Sequence, residues 1–334
     1  MKRIRKIRLF SITCTLALLF CGHALAADKV VVVPLGGTVG NAAASDVLKG
    51  KTFSSKTAGK GATGTLEIRD GSTIYTNSVG MKFSLIPAGS FIMGSPDSNA
   101  NNANAYPRQP AEPGRGSDEK QHQVTISKSF YMQTTEVTQG QWLAVMGGTN
   151  PSYFDSCGMD CPVEQVSWDD AQNFIDALNA REHRTNCNTI PNTCYSLPTE
   201  SQWEYAARGG TVTAFYNGDI TQLSGNDPKL NEIGWYSQNS GSTTHPVAQK
   251  APNNWGLYDM SGNVWEWCQD WYGTTYPDGP EIDPTGVSTG AFRVLRGGGW
   301  NGLAGFARSA SRNWNTPGLR DFNLGFRLAL PSGQ

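Results

Sequence analysis

Two carboxylates flank a short turn in residues 254–271, a stretch that also holds four tryptophans. Asp259 and Glu266 lie on either side of a Ser-Gly-Asn run, and these three residue types favour turns. Carboxylate and backbone carbonyl oxygens gathered at one turn are the ligands that a hard cation such as Ca²⁺ takes. The alternative is a buried turn whose acids accept only backbone N–H bonds. The residues alone leave both interpretations open.

Seven sequence blocks resemble the formylglycine-generating enzyme (sulfatase-modifying factor) family and occur in that family's order. The resemblance covers residues 80 to 331 and implies an α+β fold, a loop-rich variant of the C-type lectin fold with few short helices and strands. The blocks are Phe83-Ser-Leu-Ile-Pro-Ala-Gly, Thr135-Glu-Val-Thr, Pro162-Val-Glu-Gln-Val-Ser-Trp, Leu197-Pro-Thr-Glu-Ser-Gln-Trp-Glu-Tyr-Ala-Ala-Arg-Gly, Gly256-Leu-Tyr-Asp-Met-Ser-Gly-Asn-Val-Trp-Glu-Trp, Arg296-Gly-Gly-Gly-Trp and Asn323-Leu-Gly-Phe-Arg.

The resemblance also implies a set of ligands for the cation at the central turn. The family's calcium positions fall here on Asp259, Gly262, Val264 and Glu266, with the glycine and the valine contributing their carbonyls. The expected Ca²⁺ is structural, because it would hold the turn and, through the turn, the tryptophans around it.

The family's oxidase activity depends on two cysteines that follow the Arg-Gly-Gly block and bind Cu(I). Paired thiolates suit this soft ion, and the enzyme uses it with O₂ to convert a sulfatase cysteine to formylglycine. The corresponding run here, residues 299–312, contains no cysteine. We therefore assign no catalytic residue and do not expect copper. The alternative is a formylglycine-generating or related metal-dependent oxidase acting on an exported substrate.

A second oxidase chemistry, that of non-haem iron, needs two or three histidines with a carboxylate. His122, His183 and His245 lie on separate segments without a recognisable ligand spacing. The sequence therefore favours hydrogen-bonded or solvated histidines over an iron site.

The tail, residues 293–330, mixes aromatic and small polar residues, a composition that suits a recognition surface because rigid rings give contact area at low entropic cost. It resembles the variable region of secreted proteins that retroelements diversify. We predict a face that binds a protein or a carbohydrate, whereas Trp300 and Phe326 are expected to pack in the core. The candidate ligand-binding residues are Gly302, Leu303, Phe306, Ser311, Trp314, Leu319, Asp321 and Phe322.

The N-terminus has the pattern of a secretory signal. Five basic residues precede an apolar run from Leu9 to Phe20, and Ala24-Leu-Ala26 offers a small-residue cleavage site. We predict a signal peptide over residues 1–26, a periplasmic or secreted protein and no membrane span. Without that segment, 22 basic and 28 acidic side chains leave a net charge of −6, which argues against nucleic acid as a partner.

Five cysteines follow the predicted signal peptide. In an oxidising compartment, Cys157–Cys161 and Cys187–Cys194 are natural local disulfide pairs. A soft-metal site at the first pair is the alternative, and export favours the disulfide. Cys268 remains as a buried small hydrophobic residue.

Local patterns predict the elements that carry these groups. Residues 27–79 are rich in small polar residues and predict a tether or a small irregular module ahead of a domain over residues 80–331. Capping signals at Thr138, Ser167 and Thr199 predict three short helices. Strands are expected on both sides of the Pro-Ala-Gly turn after Phe83, and at residues 123–127.

Overall fold

The computed structural model describes residues 65–69, 72–97, 111–184, 187 and 193–332. Within these ranges, the helices are all too short or too polar to cross a membrane. The predicted signal peptide, residues 1–26, lies outside them. The strands are β1 Thr65–Arg69, β2 Ser72–Thr76, β3 Lys82–Ile86, β4 Gly89–Met93, β5 His122–Ile126, β6 Phe130–Gln133, β7 Trp265–Trp271, β8 Glu281–Ile282, β9 Arg293–Arg296, β10 Asn313–Asn315, β11 Leu324–Gly325 and β12 Ala329–Pro331, and the helices are α1 Gln139–Met146, α2 Trp168–Arg181, α3 Glu200–Arg208 and α4 Pro228–Ile233.

The three predicted helices are confirmed, and each begins where its capping residue was expected. The hydroxyls of Thr138, Ser167 and Thr199 accept the backbone N–H three residues later, and each capping box is closed by the returning side chain. These bonds satisfy N–H groups that a helix start leaves without partners. The apolar residues of α2 recur at helical spacing and are buried: Ala171, Phe174, Ile175 and Leu178.

Three small sheets hold the fold together, in the strand orders β1-β2-β3-β6-β12, β10-β9-β7-β11 and β4-β5-β8. The predicted strand–turn–strand after Phe83 forms β3 and β4, but these strands belong to different sheets. Strands β1 and β2 precede the predicted domain boundary at residue 80 and belong to the first sheet, since β2 pairs with β3 and the ring of Tyr75 lies 5.8 Å from that of Phe83. The mixed, loop-rich α+β architecture is the one expected.

Strand β7 divides the hydrophobic core into two clusters. Successive strand residues point to opposite faces, so Trp265 and Trp267 pack into one cluster with α2, while Cys268 packs into the other with α3. Cys268 is fully buried and free, as predicted. This strand follows directly from the central turn, so the core fixes the position of that turn.

Two disulfides join the predicted pairs, Cys157–Cys161 and Cys187–Cys194. The first closes a loop between α1 and α2, where a short 3₁₀ helix, Asp155–Cys157, follows two adjacent aromatic residues. Each closes a short loop, so its effect on the unfolded chain is smaller than that of a long-range crosslink.

Buried ion pairs connect α3 to the tail. Glu200 accepts from the guanidinium of Arg312 at 2.6 and 2.9 Å, and Glu204 pairs with Arg208 and Arg296. Such pairs are costly to break from one side, because the remaining charge stays buried without compensation. They fix the strand and loop that follow Arg293 against the helix.

Candidate functional site

The central turn has the tight backbone that its sequence indicates. Asp259 has φ 54° and Gly262 has φ 101°, both in the left-handed region. A Cβ atom at Gly262 would lie 2.2 Å from the carbonyl oxygen of Trp235, so only glycine fits there. Gly262 and Val264 are buried, as are both carboxylates. All four residues assigned to the cation therefore lie within one buried turn and the start of β7.

Asp259 fits a cation ligand. Its Oδ2 accepts the backbone N–H of Ala248 at 2.7 Å, while its Oδ1 is buried and has no hydrogen-bond partner in the described part of the chain. Burial raises the pKa of Asp259 to about 6, and the charge of Glu266 acts in the same direction. A carboxylate oxygen buried without a donor is one that a hard cation would satisfy.

Glu266 does not fit the same role through its side chain. Its two oxygens accept from Nε and Nη2 of Arg327, both at 2.7 Å, and its Oε2 also accepts from the indole of Trp203 at 2.8 Å. Arg327 and Glu266 are fully buried. A bidentate pair of this kind neutralises the carboxylate and satisfies its oxygens. The set taken from the family resemblance therefore fits the structure at Asp259 but not at the Glu266 side chain.

A third carboxylate near this turn was not singled out from the sequence. Glu136 is fully buried, and neither of its oxygens has a hydrogen-bond partner among the described residues. Burial first, and the charge of Asp259 second, raise the pKa of Glu136 well above its ordinary value. In the sequence, Glu136 belongs to the Thr-Glu-Val-Thr block, which supports the family resemblance but to which no role was assigned.

The second feature is a cluster of four aromatic rings at the surface, Tyr153, Phe154, Trp300 and Phe322, which we call the aromatic platform. Ring centroids are 4.9 Å apart for Tyr153–Phe154, 5.2 Å for Phe154–Trp300, 5.6 Å for Trp300–Phe322 and 6.1 Å for Tyr153–Phe322. Tyr153 is 64% exposed and Phe322 38% exposed. The rings therefore contact one another in a closed circuit and still present apolar surface to solvent.

A buried carboxylate holds one side of the aromatic platform. Glu164 accepts the backbone N–H groups of Tyr153 at 3.1 Å and of Phe154 at 2.8 Å. Burial raises the pKa of Glu164 to about 7, although these two hydrogen bonds lower it, and the charges of Asp155 and Asp321 raise it further. The loop that carries two of the four rings is therefore fixed by a group that titrates near neutrality.

Hydrogen bonds from the tail hold the other side of the aromatic platform. The indole of Trp300 donates to the carbonyl of Phe322 at 3.2 Å, and the backbone N–H of Trp300 donates to the carbonyl of Asn263 at 2.8 Å. The second bond connects the platform to the central turn, because Asn263 lies between Gly262 and Val264. Trp300 is half-buried, so the expectation that its ring only fills the core is wrong, while Phe326 is fully buried as predicted.

The structure brings some of the predicted tail residues together and separates others. Phe322 is part of the aromatic platform. Leu303 and Phe306 are exposed and follow Trp300 closely in sequence, and the ring centroid of Phe306 lies 6.4 Å from that of Trp265. Gly302 and Asp321 are partly exposed, and Leu319 packs against the α2 side of the core. Ser311 is buried and its carbonyl accepts from Arg296, so its side chain is not on the surface.

Trp314 is exposed but belongs to a different surface. Its ring lies 4.2 Å from that of Phe292 and 5.8 Å from that of Tyr272, on the edge strand β10. The predicted single face is therefore two separate aromatic surfaces. Sequence reasoning also missed Tyr153 and Phe154, which come from a loop about 150 positions before the tail; their signal was a pair of adjacent aromatic residues among turn formers.

Residues 299–312 are the run in which the family resemblance would place a pair of cysteines. Residues 299–312 form a loop, the 3₁₀ helix Ala304–Ala307 and a buried segment, with no cysteine among them. In the described part of the chain, no group of three or more His, Cys, Asp or Glu side chains is arranged to hold a metal. The two disulfides take up four of the five cysteines in the described part of the chain, and the fifth, Cys268, is enclosed in the core.

The family model of the sulfatase-modifying factor enzyme 1-like domain matches residues 74–331. The chain belongs to this family. The match begins within β2 and ends within β12.

Individual relatives differ in what their names describe. The formylglycine-generating enzyme of Streptomyces coelicolor is 37% identical over 182 residues, which are 50% of this chain and 52% of that enzyme, so the chain spans about half the length of this relative. The chaperone protein LppX of Paenibacillus barcinonensis is 34% identical over 53% of this chain and 71% of its own.

Solved structures extend the likeness over most of the domain. Treponema denticola variable protein 1 is 31% identical, with a TM-score of 0.64 over 78% of this chain and 99% of that one. PvdO from Pseudomonas aeruginosa is 26% identical, with a TM-score of 0.63 over 78% of this chain and 98% of that one.

Proposed function

We propose that this protein is an exported binding module that recognises a protein or carbohydrate ligand through the aromatic platform. The observation that carries the proposal is a partly exposed four-ring cluster held by hydrogen bonds to Glu164 on one side and from Trp300 on the other. Large, rigid rings give contact area without a large loss of side-chain entropy, which suits recognition. Exposed apolar surface of this kind on a folded domain commonly marks an interaction site.

The surroundings of the aromatic platform support binding over oxidation. The run 299–312 contains the exposed side chains of Leu303 and Phe306 and no sulfur ligand for a soft metal. Similarity to a Treponema variable protein over 99% of its chain supports a face whose residues change between copies. If this chain is diversified in that way, its gene should lie beside a reverse-transcriptase gene and an adenine-rich near-copy of the tail's coding sequence.

Export is part of the proposal. Disulfides persist in oxidising compartments, and two of them stabilise loops of this domain. The periplasmic fraction or the culture medium of the native host should contain a chain that begins directly after Ala26. An intact N-terminus in a cytoplasmic fraction would contradict this location.

The binding function is tested by selection followed by substitution. A phage-displayed peptide library and a glycan array are screened with the wild-type protein, and each binder is measured again with Tyr153→Ala/Phe322→Ala. We expect affinity to fall by about tenfold or more, because central aromatic residues often contribute 2 kcal/mol or more to binding. Val212→Ala is the matched control, since Val212 is 73% exposed and lies outside the platform.

Binders that are unaffected by the double substitution, or a screen without binders, would contradict the proposal. The oxidase alternative has its own assay, in which the protein is incubated with Cu(I), O₂ and a Cys-x-Pro-x-Arg peptide. Formation of an aldehyde with loss of the peptide thiol would favour the oxidase.

A further inference from the structure

Three hydrogen bonds join the segments that carry Glu136 and Asp259, one between backbone groups and two from the Arg327 side chain. The N–H of Tyr258 donates to the carbonyl of Thr134 at 2.8 Å, and Arg327 donates to the carbonyls of Gln133 and Tyr258 at 3.2 and 2.9 Å. The chain at Glu136 therefore runs beside the segment that leads into the central turn, and the charge of Asp259 acts on the Glu136 carboxyl and raises its pKa.

The charges in this buried cluster do not balance. Glu136, Asp259 and Glu266 carry three negative charges when ionised, and Arg327 supplies one positive charge that Glu266 takes up through both of its oxygens. Lys250 offsets part of the charge of Asp259, but its ammonium donates to the carbonyl of Asn231 and lies 3.9 Å from the ring of Trp235. Buried carboxylates need a donor, a proton or a cation, and Glu136 has no donor among the described residues.

Three oxygens in the cluster are free to accept a ligand: both of Glu136 and Oδ1 of Asp259. All three are buried, and the left-handed backbone at Asp259 is a strained conformation that the surrounding structure maintains. We propose that Glu136 and Asp259 together bind a divalent hard cation, Ca²⁺ in the first instance, and that Glu266 acts as the ion-pair partner of Arg327 instead.

This assignment changes the ligand set implied by the family resemblance and does not depend on the proposed binding function. A divalent cation would neutralise the two negative charges, on Glu136 and Asp259, that Arg327 leaves uncompensated. Backbone carbonyls and water would complete the oxygen shell, as is usual for Ca²⁺. A carbonyl from Gly262 or Val264 remains compatible with the site, whereas the side chain of Glu266 does not take part.

The proposal is tested on the chelator-stripped full chain. Calcium is titrated in by calorimetry, and Tb³⁺ is titrated with luminescence sensitised by indole rings such as Trp235. Thermal melts are recorded with Ca²⁺, with Mg²⁺, with Na⁺ and with chelator alone. We expect one bound Ca²⁺ per chain and a rise in Tm that Na⁺ at equal ionic strength does not reproduce.

Substitutions then separate the ligand from its neighbours. Glu136→Gln should remove Ca²⁺ binding and the calcium-dependent rise in Tm, and Asp259→Asn should do the same. In chelator, Glu136→Gln should be at least as stable as wild type, because it removes a charge and no hydrogen bond. Glu164→Gln is the matched control, a buried glutamate with both oxygens bonded elsewhere, and should bind Ca²⁺ with unchanged affinity.

Two results would overturn the proposal. Absence of calcium binding in the wild type would mean that a proton neutralises Glu136. Unchanged calcium affinity in Glu136→Gln would mean that the central turn binds the cation without Glu136. Because these measurements use the metal and not the recognition ligand, neither result bears on the aromatic platform.

Discussion

At the scale of single residues, Glu164 links the aromatic platform to pH. Its pKa is raised from 4.5 to about 7, so between these values the folded protein keeps a proton that the unfolded chain releases. Stability contributed by the proton is therefore complete below the lower value and is lost as pH rises through the upper one. The slope approaches about 1.4 kcal/mol per pH unit within this window.

Replacement of the titrating group tests this dependence. The difference in unfolding free energy between wild type and Glu164→Gln should fall as pH rises from 4.5 to about 7 and level off above that range. Denaturant melts of both proteins at matched pH values measure it. Asp155 and Asp321 face Glu164 and raise its pKa, so Asp321→Asn should move the window to lower pH. A difference that stays constant across the window would show that Glu164 does not titrate there.

At the scale of elements, the first hairpin belongs to the domain although its composition resembles a tether. Strand β2 pairs with β3, and the ring of Tyr75 lies 5.9 Å from that of Tyr131 while its hydroxyl contacts that of Tyr195 at 3.3 Å. Its loss would remove these contacts and leave the edge of β3 unpaired, which is a site for aggregation.

Two truncations test the role of the hairpin. A chain that begins at residue 80 should lose about 2 kcal/mol or more of unfolding free energy relative to one that begins at residue 65, since burying one aromatic side chain contributes about that much. The chain that begins at residue 65 is the control, because it keeps both strands of the hairpin. Equal urea midpoints for the two truncations would mean that the hairpin is only an appendage.

At the scale of the whole molecule, the sequence predicted those features that depend on residues close together in the chain. The three capping boxes, the buried face of α2 and both short disulfide loops follow from local spacing, and each is present. Contacts between residues far apart in the chain could not be predicted from local patterns. Glu266 and Arg327 are 61 positions apart, and Tyr153 meets Phe322 from another segment, so neither contact has a local signal. Trp314 lies apart from Phe322 because its strand, β10, is at one edge of the sheet β10-β9-β7-β11, whereas Phe322 comes just before β11 at the other edge.

The Glu266–Arg327 pair is the long-range contact on which the turn, β7 and the end of the tail all depend. Arg327→Met should cost about 3–5 kcal/mol, because it leaves the charge of Glu266 buried without a partner. Adding Glu266→Gln should recover a substantial part of this loss, since the amide carbonyl can still accept from Trp203 and no charge remains. Urea unfolding of the four proteins in this double-mutant cycle gives the coupling energy directly. Losses that simply add would mean that the two side chains stabilise the fold independently, and the core would then rest on packing around β7 rather than on this pair.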